Sequence, residues 1–395
     1  VLTMLHDIHH IKRAFIVCMT LLTTVACTYD YEIPDSETEP MVVIFGQIVS
    51  ESECVFSLHS TARPTGELEI YSNIDDATVV VKGTDGQVFE GHGVGNFTGR
   101  FIVNVGKLSS DQKYYVEVST PYGNFASEPM QPLDAPELTD ICYEQSEVNK
   151  SINVMVTTAD PHSLVYLLWQ VDDYYEIYTP LTTQWKYCVG QNEGDSDGQN
   201  GTFEKISPEA YTNHGWRHAI ALANFATNED YGCGAITKRS IYTRTISDHR
   251  LQTRCCTRIK QMAITRQEYE YRRLMLNQTD NMGGLFTPMP SELPTNINSV
   301  GERKAIGYIG VRGRTSMKEM YINGSDVGYK SQDNPQTFPQ DGQSPLGLVY
   351  HGCSVYTHTP NTGDTMWTFT WCVDYRDKYW GGDAIDRPDF WQNKQ

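Results

Sequence analysis

The sequence has no apolar run long enough to cross a bilayer, which takes about 20 residues. A chain of 395 residues with 39% hydrophobic content is therefore not a multi-span membrane protein. It has no surplus of positive charge either: 31 basic residues face 49 acidic ones, a net charge of −18. Binding a phosphate backbone needs a basic face, so nucleic acid drops out as a partner. Glycine (31) and proline (18) are too few for collagen-like or low-complexity classes. There is no Cys-x-x-Cys pair, so zinc-ribbon spacings are missing. No twelve-residue calcium loop and no internal repeat occur. The residues alone assign no reaction and no cofactor.

What the sequence does carry is aromatic: 24 tyrosines within an aromatic content of 11%. The length suits two to three domains. Near the amino terminus, Lys12-Arg13 precedes the short apolar stretch Ala14 to Ala26 and then Cys27. A basic segment, a short apolar segment and a small residue before a cysteine form a secretory signal. Ala26-Cys27 resembles a bacterial lipobox, in which the cysteine is lipidated, although Thr24 stands where leucine is usual. The alternative is an ordinary cleaved signal with an incidental cysteine. Residues Val1 to Ile11 resemble an over-extended gene start. Residues 1–26 read as the signal and 27–40, acidic and punctuated by Pro34 and Pro40, as a tether too poor in aliphatics to fold. Without residues 1–26 the balance is 29 basic against 48 acidic, a net −19.

Eight of the ten cysteines lie beyond Cys27. In an oxidising compartment an even set suggests disulfides, and eight cysteines permit 105 pairings. Vicinal Cys255 and Cys256 cannot readily pair with each other, whereas Cys353 and Cys372 are candidate partners across neighbouring strands.

Residues 41–131 alternate with period two in short runs, among them Thr78 to Gly83, Gly99 to Val105 and Lys113 to Ser119, and Asp85-Gly86 is a hairpin turn. The expectation is a mainly β fold that opens with an antiparallel, immunoglobulin-like sandwich. Pro129, Pro132 and Pro136 mark a linker. Residues 138–395 read as a larger β-rich domain with one prominent helix near 265–281, where Thr265 and Glu268 form a capping box.

Four aromatics, Tyr174, Tyr175, Tyr178 and Trp185, are candidates for a ligand platform, because aromatic faces stack on sugars and peptides. Filling the core is the competing reading, and it is the expected one for Trp169. His214 and His218, four apart, could share a metal on a helix, but Gly215 opposes helix there and surface histidines are the expectation. Asp172 and Asp173 are strand neighbours on opposite faces and cannot act on one bond. Asp195, Asp197 and Asp230 offer a loop for calcium without the required spacing. Asp364-Thr365-Met366 resembles a short O-glycosylation motif.

Taken in order, several landmarks resemble the DUF4249 family of Bacteroidetes lipoproteins. They are the lipobox and acidic tether, Trp169 with Tyr174-Tyr175-Glu176-Ile177-Tyr178, and the helix at Glu268-Tyr269-Glu270-Tyr271. Gly284-Leu285-Phe286-Thr287-Pro288-Met289-Pro290, Asn296-Ile297-Asn298, Ile306-Gly307-Tyr308-Ile309 and Pro388-Asp389-Phe390-Trp391 complete the set. Tyr375 departs from it, since relatives often carry a cysteine there. The resemblance implies a non-enzymatic lipoprotein, held in the outer membrane by its lipid and facing the cell surface. It would be an accessory of a TonB-dependent receptor in nutrient capture or gating. A structural or adhesive, fimbrial-type surface lipoprotein is the alternative. A secreted hydrolase would need a triad or converging carboxylates.

Overall fold

In a computed structural model the protein is described over residues 41–61, 72–189, 201–280, 293–301 and 303–392. The signal segment, the tether, Cys27, Asp195 and Asp197 lie outside the described residues. The fold is mainly β and opens with a sandwich.

Seven strands come from the amino-terminal part: β1 (Val42–Val49), β2 (Ser52–Ser60), β3 (Thr78–Gly83), β4 (Val88–Gly93), β5 (Arg100–Val105), β6 (Tyr114–Thr120) and β7 (Gly123–Ser127). In β3 and β6 every second residue is buried, the signature of a sheet with one face on the core. Strand β4 pairs with both β3 and β5, so the two layers join through it. The Asp85-Gly86 turn lies between β3 and β4, with Gly86 at φ 88°. Ile44, Phe56, Leu58, Val81, Phe101, Val103 and Phe125 fill the interior.

The linker at residues 129–137 does not end this first unit. Three later strands return to it: β16 (Ile297–Ser299) pairs with β7, while β17 (Ala305–Ile306) and β18 (Ile309–Arg312) pair in parallel with β1. Ile297, Ile309 and Val311 join the same core. The expected boundary, which left 297–312 in the carboxy-terminal domain, is corrected accordingly. The physical reason lies in β1. Its apolar residues have β2 on one side only, and an uncovered edge of this kind invites pairing.

The second unit is another sandwich. One layer runs β14 (Arg239–Thr245), β9 (Ser151–Thr158), β8 (Leu138–Ser146). The other runs β19 (Ser316–Asn323), β15 (Arg254–Ile264), β10 (Tyr166–Tyr178), β13 (His214–Thr227), β23 (Asp383–Ile385). Trp169, Val171 and Ile259 from the larger layer meet Val154, Val156 and Ile241 from the smaller. Trp169 is fully buried, as its core reading requires, and donates its indole N–H to Gln261 Oε1 at 2.7 Å. Buried Asp173 accepts from Arg244 Nη2 at 2.6 Å, Thr257 Oγ1 at 2.8 Å and Arg250 Nη1 at 3.2 Å. Burial works against the Arg244 charge, but the Asp173 carboxylate beside it holds the Arg244 pKa above its ordinary value. Smaller sheets, β11 (Trp185–Cys188) with β12 (Thr202–Lys205) and β20 (Thr337–Pro339) with β22 (Thr365–Phe369) and β21 (Cys353–His358), close around Trp367.

The prominent helix α1 spans Arg266–Asp280. Thr265 caps it, its hydroxyl accepting from the Glu268 N–H at 3.1 Å. The other half of the expected capping box is not made. The Glu268 carboxylate, 2% exposed, turns instead to Arg312 Nη2 at 2.5 Å and Arg272 Nη2 at 2.9 Å. Arg312 ends β18 and is 1% exposed, so the pair ties the helix to the first sandwich. Replacing Arg312 with Met leaves the buried carboxylate with only the partly exposed Arg272, and the expected loss is about 3 kcal/mol. Arg266→Ala breaks a surface pair whose arginine is 76% exposed, and it should cost below about 1 kcal/mol. Urea unfolding of the two variants checks the contrast.

Candidate functional site

Alternation along β10 divides the four candidate aromatics. Tyr174 and Tyr178 project from the outer face of the larger layer, and Tyr175 from the inner one. Tyr175 is fully buried and donates its hydroxyl to the carbonyls of Gly381 (2.6 Å) and Trp380 (3.0 Å). Burial pushes its pKa up to about 12 against the opposing pull of Arg217. Trp185 is elsewhere, edge-on to His358 at 5.2 Å and packed on the Trp367 cluster. Only Tyr174 and Tyr178 therefore share a face, because the strand period sets neighbours back to back.

What they share is a ladder with β13. The register pairs Tyr174 with His218 and Tyr178 with His214. Each imidazole stacks on its tyrosine, at 4.4 Å and 21° for His218 and at 4.1 Å and 19° for His214. Each also meets a carboxylate two residues before that tyrosine. His214 Nε2 lies 2.8 Å from Glu176 Oε1, and His218 Nε2 lies 3.6 Å from Asp172 Oδ1. Spacing of four in two antiparallel strands puts both units on one face. The histidines thus stand on a strand, with separate carboxylates, and the described residues hold no group of three metal-ligating side chains. The pairing went unread in the sequence because its signal, Asp-x-Tyr-x-Glu-x-Tyr opposite His-x-x-x-His, needs the strand partners to be known. Asp172 and Asp173 do fall on opposite faces as expected, one on the ladder and one buried beneath it.

Part of the ladder is covered by the chain's own end. Phe390 meets Tyr174 edge-on at 4.9 Å, and the Arg258 guanidinium lies 3.6 Å from the Phe390 ring centre. Trp391 packs edge-on against Tyr321 at 5.8 Å and Trp216 at 6.5 Å. The Tyr178 end stays open, with Tyr178 46% exposed. Each aromatic contact of this kind contributes about 0.5–1.5 kcal/mol. The open end offers a ring, an imidazole and a carboxylate, which suits stacking and hydrogen bonding.

The described cysteines are all free thiols. The expected Cys353–Cys372 bridge is not formed. Cys353 opens β21 opposite Phe369, whereas Cys372 ends the 3-10 turn Thr370–Cys372 beyond β22, so the two are not cross-strand neighbours. Burial pushes Cys255 up to about 12 and Cys256 up to about 11. Thr365 of the glycosylation-like motif is buried, with its hydroxyl 2.9 Å from His358 Nδ1. Alkylation of the native protein at mildly alkaline pH should modify the partly exposed Cys142, Cys188 and Cys233 and spare Cys255 and Cys256. Peptide mass mapping before and after unfolding reads the difference, because only thiolates react.

A family model described as "Domain of unknown function (DUF4249)" matches residues 27–318. The chain belongs to that family. No curated protein matches it. Among solved structures, it is similar to a DUF4785 family protein from Legionella pneumophila, at 10% identity and a TM-score of 0.19, over 55% of this chain and 50% of that one. The match thus spans half the length of that protein.

Proposed function

We propose that this DUF4249 member is a non-enzymatic, lipid-anchored protein of the outer membrane, and that it serves a TonB-dependent transporter by capturing or gating its ligand. The observation that carries the reading is the open end of the Tyr178–His214–Glu176 ladder, an aromatic and polar surface held on a rigid sheet. A preorganised platform of this kind gives up little entropy on binding, since stacking and the 2.8 Å His214–Glu176 hydrogen bond already fix the side chains. The lipobox at Ala26-Cys27 and the acidic residues after it support the placement at the membrane. A body of charge −19 beside anionic lipid is repelled, so acyl chains must supply the attachment.

The test joins lipid and partner. Cells fed labelled palmitate should incorporate the label into the protein, and Cys27→Ala should abolish it. Detergent extracts should yield the protein together with a large outer-membrane receptor. Recovery of unlabelled, receptor-free protein sinks the reading. Recovery of ordered polymers instead favours a fimbrial role.

A further inference from the structure

We propose that the cleft between the two sandwiches, under helix α1, is a binding site for a small neutral saccharide of one or two rings. The proposal rests on the ligand-capture half of the reading above. It needs neither the lipid anchor nor the transporter.

The cleft has a volume of about 350 Å³, at the lower end of ligand pockets, which run from about 300 to 1,000 Å³. Every part of the fold junction contributes to it. Strands β1 and β2 supply Phe45, Gln47 and Ser57, strand β10 supplies Gln170, and α1 supplies Glu268 and Tyr271. Phe45 is 37% exposed although it sits in a concave wall. Tyr271 stacks on Tyr308, another wall residue, at 5.1 Å and 29°. Such rings offer flat apolar area to the C–H face of a sugar.

Several polar groups of the wall are unspent. The Gln47 amide and the hydroxyls of Ser57 and Tyr271 make no hydrogen bond among the described residues. Gln170 uses only its N–H groups, on Asp172. Glu268 spends Oε1 on two arginines, while Oε2 is buried without a partner.

Charge and valence then choose the class. Among the described residues the wall carries one carboxylate, Glu268, and one guanidinium, Arg272, and these two are already paired. A charged ligand would have to displace that existing pair. A purely apolar ligand would strand the amides and hydroxyls of Gln47, Gln170, Ser57 and Tyr271. A hydroxyl both donates and accepts, so several of them on a compact apolar frame match the amides, the serine hydroxyl and the phenol together. A neutral saccharide is that object.

Saturation-transfer NMR on the full chain in detergent, with glucose, maltose, cellobiose and lactose as probes, tests the site. At least one should show transfer from the protein. Phe45→Ala and Gln47→Ala, at half-exposed positions that spare the fold, should each weaken it about tenfold with unchanged thermal midpoints. Tyr178→Ala, on the separate ladder, should leave it intact. Absence of transfer from all four sugars overturns the proposal, as does transfer lost with Tyr178→Ala but kept with Phe45→Ala. Sugar binding in a protein that never co-purifies with a receptor removes the transporter reading and leaves the site standing.

Discussion

One buried carboxylate decides how this chain can fold. Glu268 sits in the first turn of α1, yet its partner Arg312 closes a strand of the other sandwich. An unpaired charge at such a depth costs several kcal/mol. The helix and β18 must therefore be in place together. The backbone near Arg312 is shaped for the pair. A Cβ on Gly310 would lie 2.3 Å from the Arg312 guanidinium, so only glycine leaves that side chain its path. Gly307, at φ +124°, passes so close to the Ile44 carbonyl that any side chain would collide with it. Residues 297–312 are thus held to the first sandwich by backbone pairing with β1 and β7, by apolar burial and by this ion pair. Asn296 reinforces the arrangement, its side chain bonding both the N–H and the C=O of Ile309.

Local physics wrote the parts that were legible in the sequence. Period-two burial marks β3, β5 and β6, the Asp85-Gly86 turn sits where a hairpin requires it, and the helix differs from its expected span by a residue at each end. What could not be read was partnership. Alternation says that β1 has an inner face but not that a strand some 260 residues later will lie beside it. The same gap hid the ladder. His214 and His218 are four apart, a spacing that suggests a helical face until their strand partners, Tyr178 and Tyr174, are known. Glu268 makes only half of its capping box for a related reason. Its place three residues after Thr265 matches a cap, and only a distant arginine explains why the carboxylate points away.

Strand geometry also sorted the aromatic segment by function. Along β10, Tyr175 went to the core and holds the Trp380–Gly381 turn, while Tyr174 and Tyr178 went to the outer face. The carboxy-terminal residues Phe390 and Trp391 then close over one end of that face and leave the other open. The tyrosine excess thus has two sources, core packing and an outward surface, and they alternate within one strand.

The cleft and the clamp share a residue, and that has a consequence for how the protein could have been tuned. Oε1 of Glu268 holds the helix to the first sandwich, and the same residue lines the space between the sandwiches. A leucine there would remove the carboxylate but leave Arg312 buried without a counter-charge. A glutamine would keep the volume but weaken both guanidinium contacts, since each is a charge-assisted bond. Neither change separates stability from the polarity of the cleft. The wall must stay polar as long as the joint is ionic. This constraint, more than any isolated tyrosine, sets the chemistry that the junction can present to a ligand.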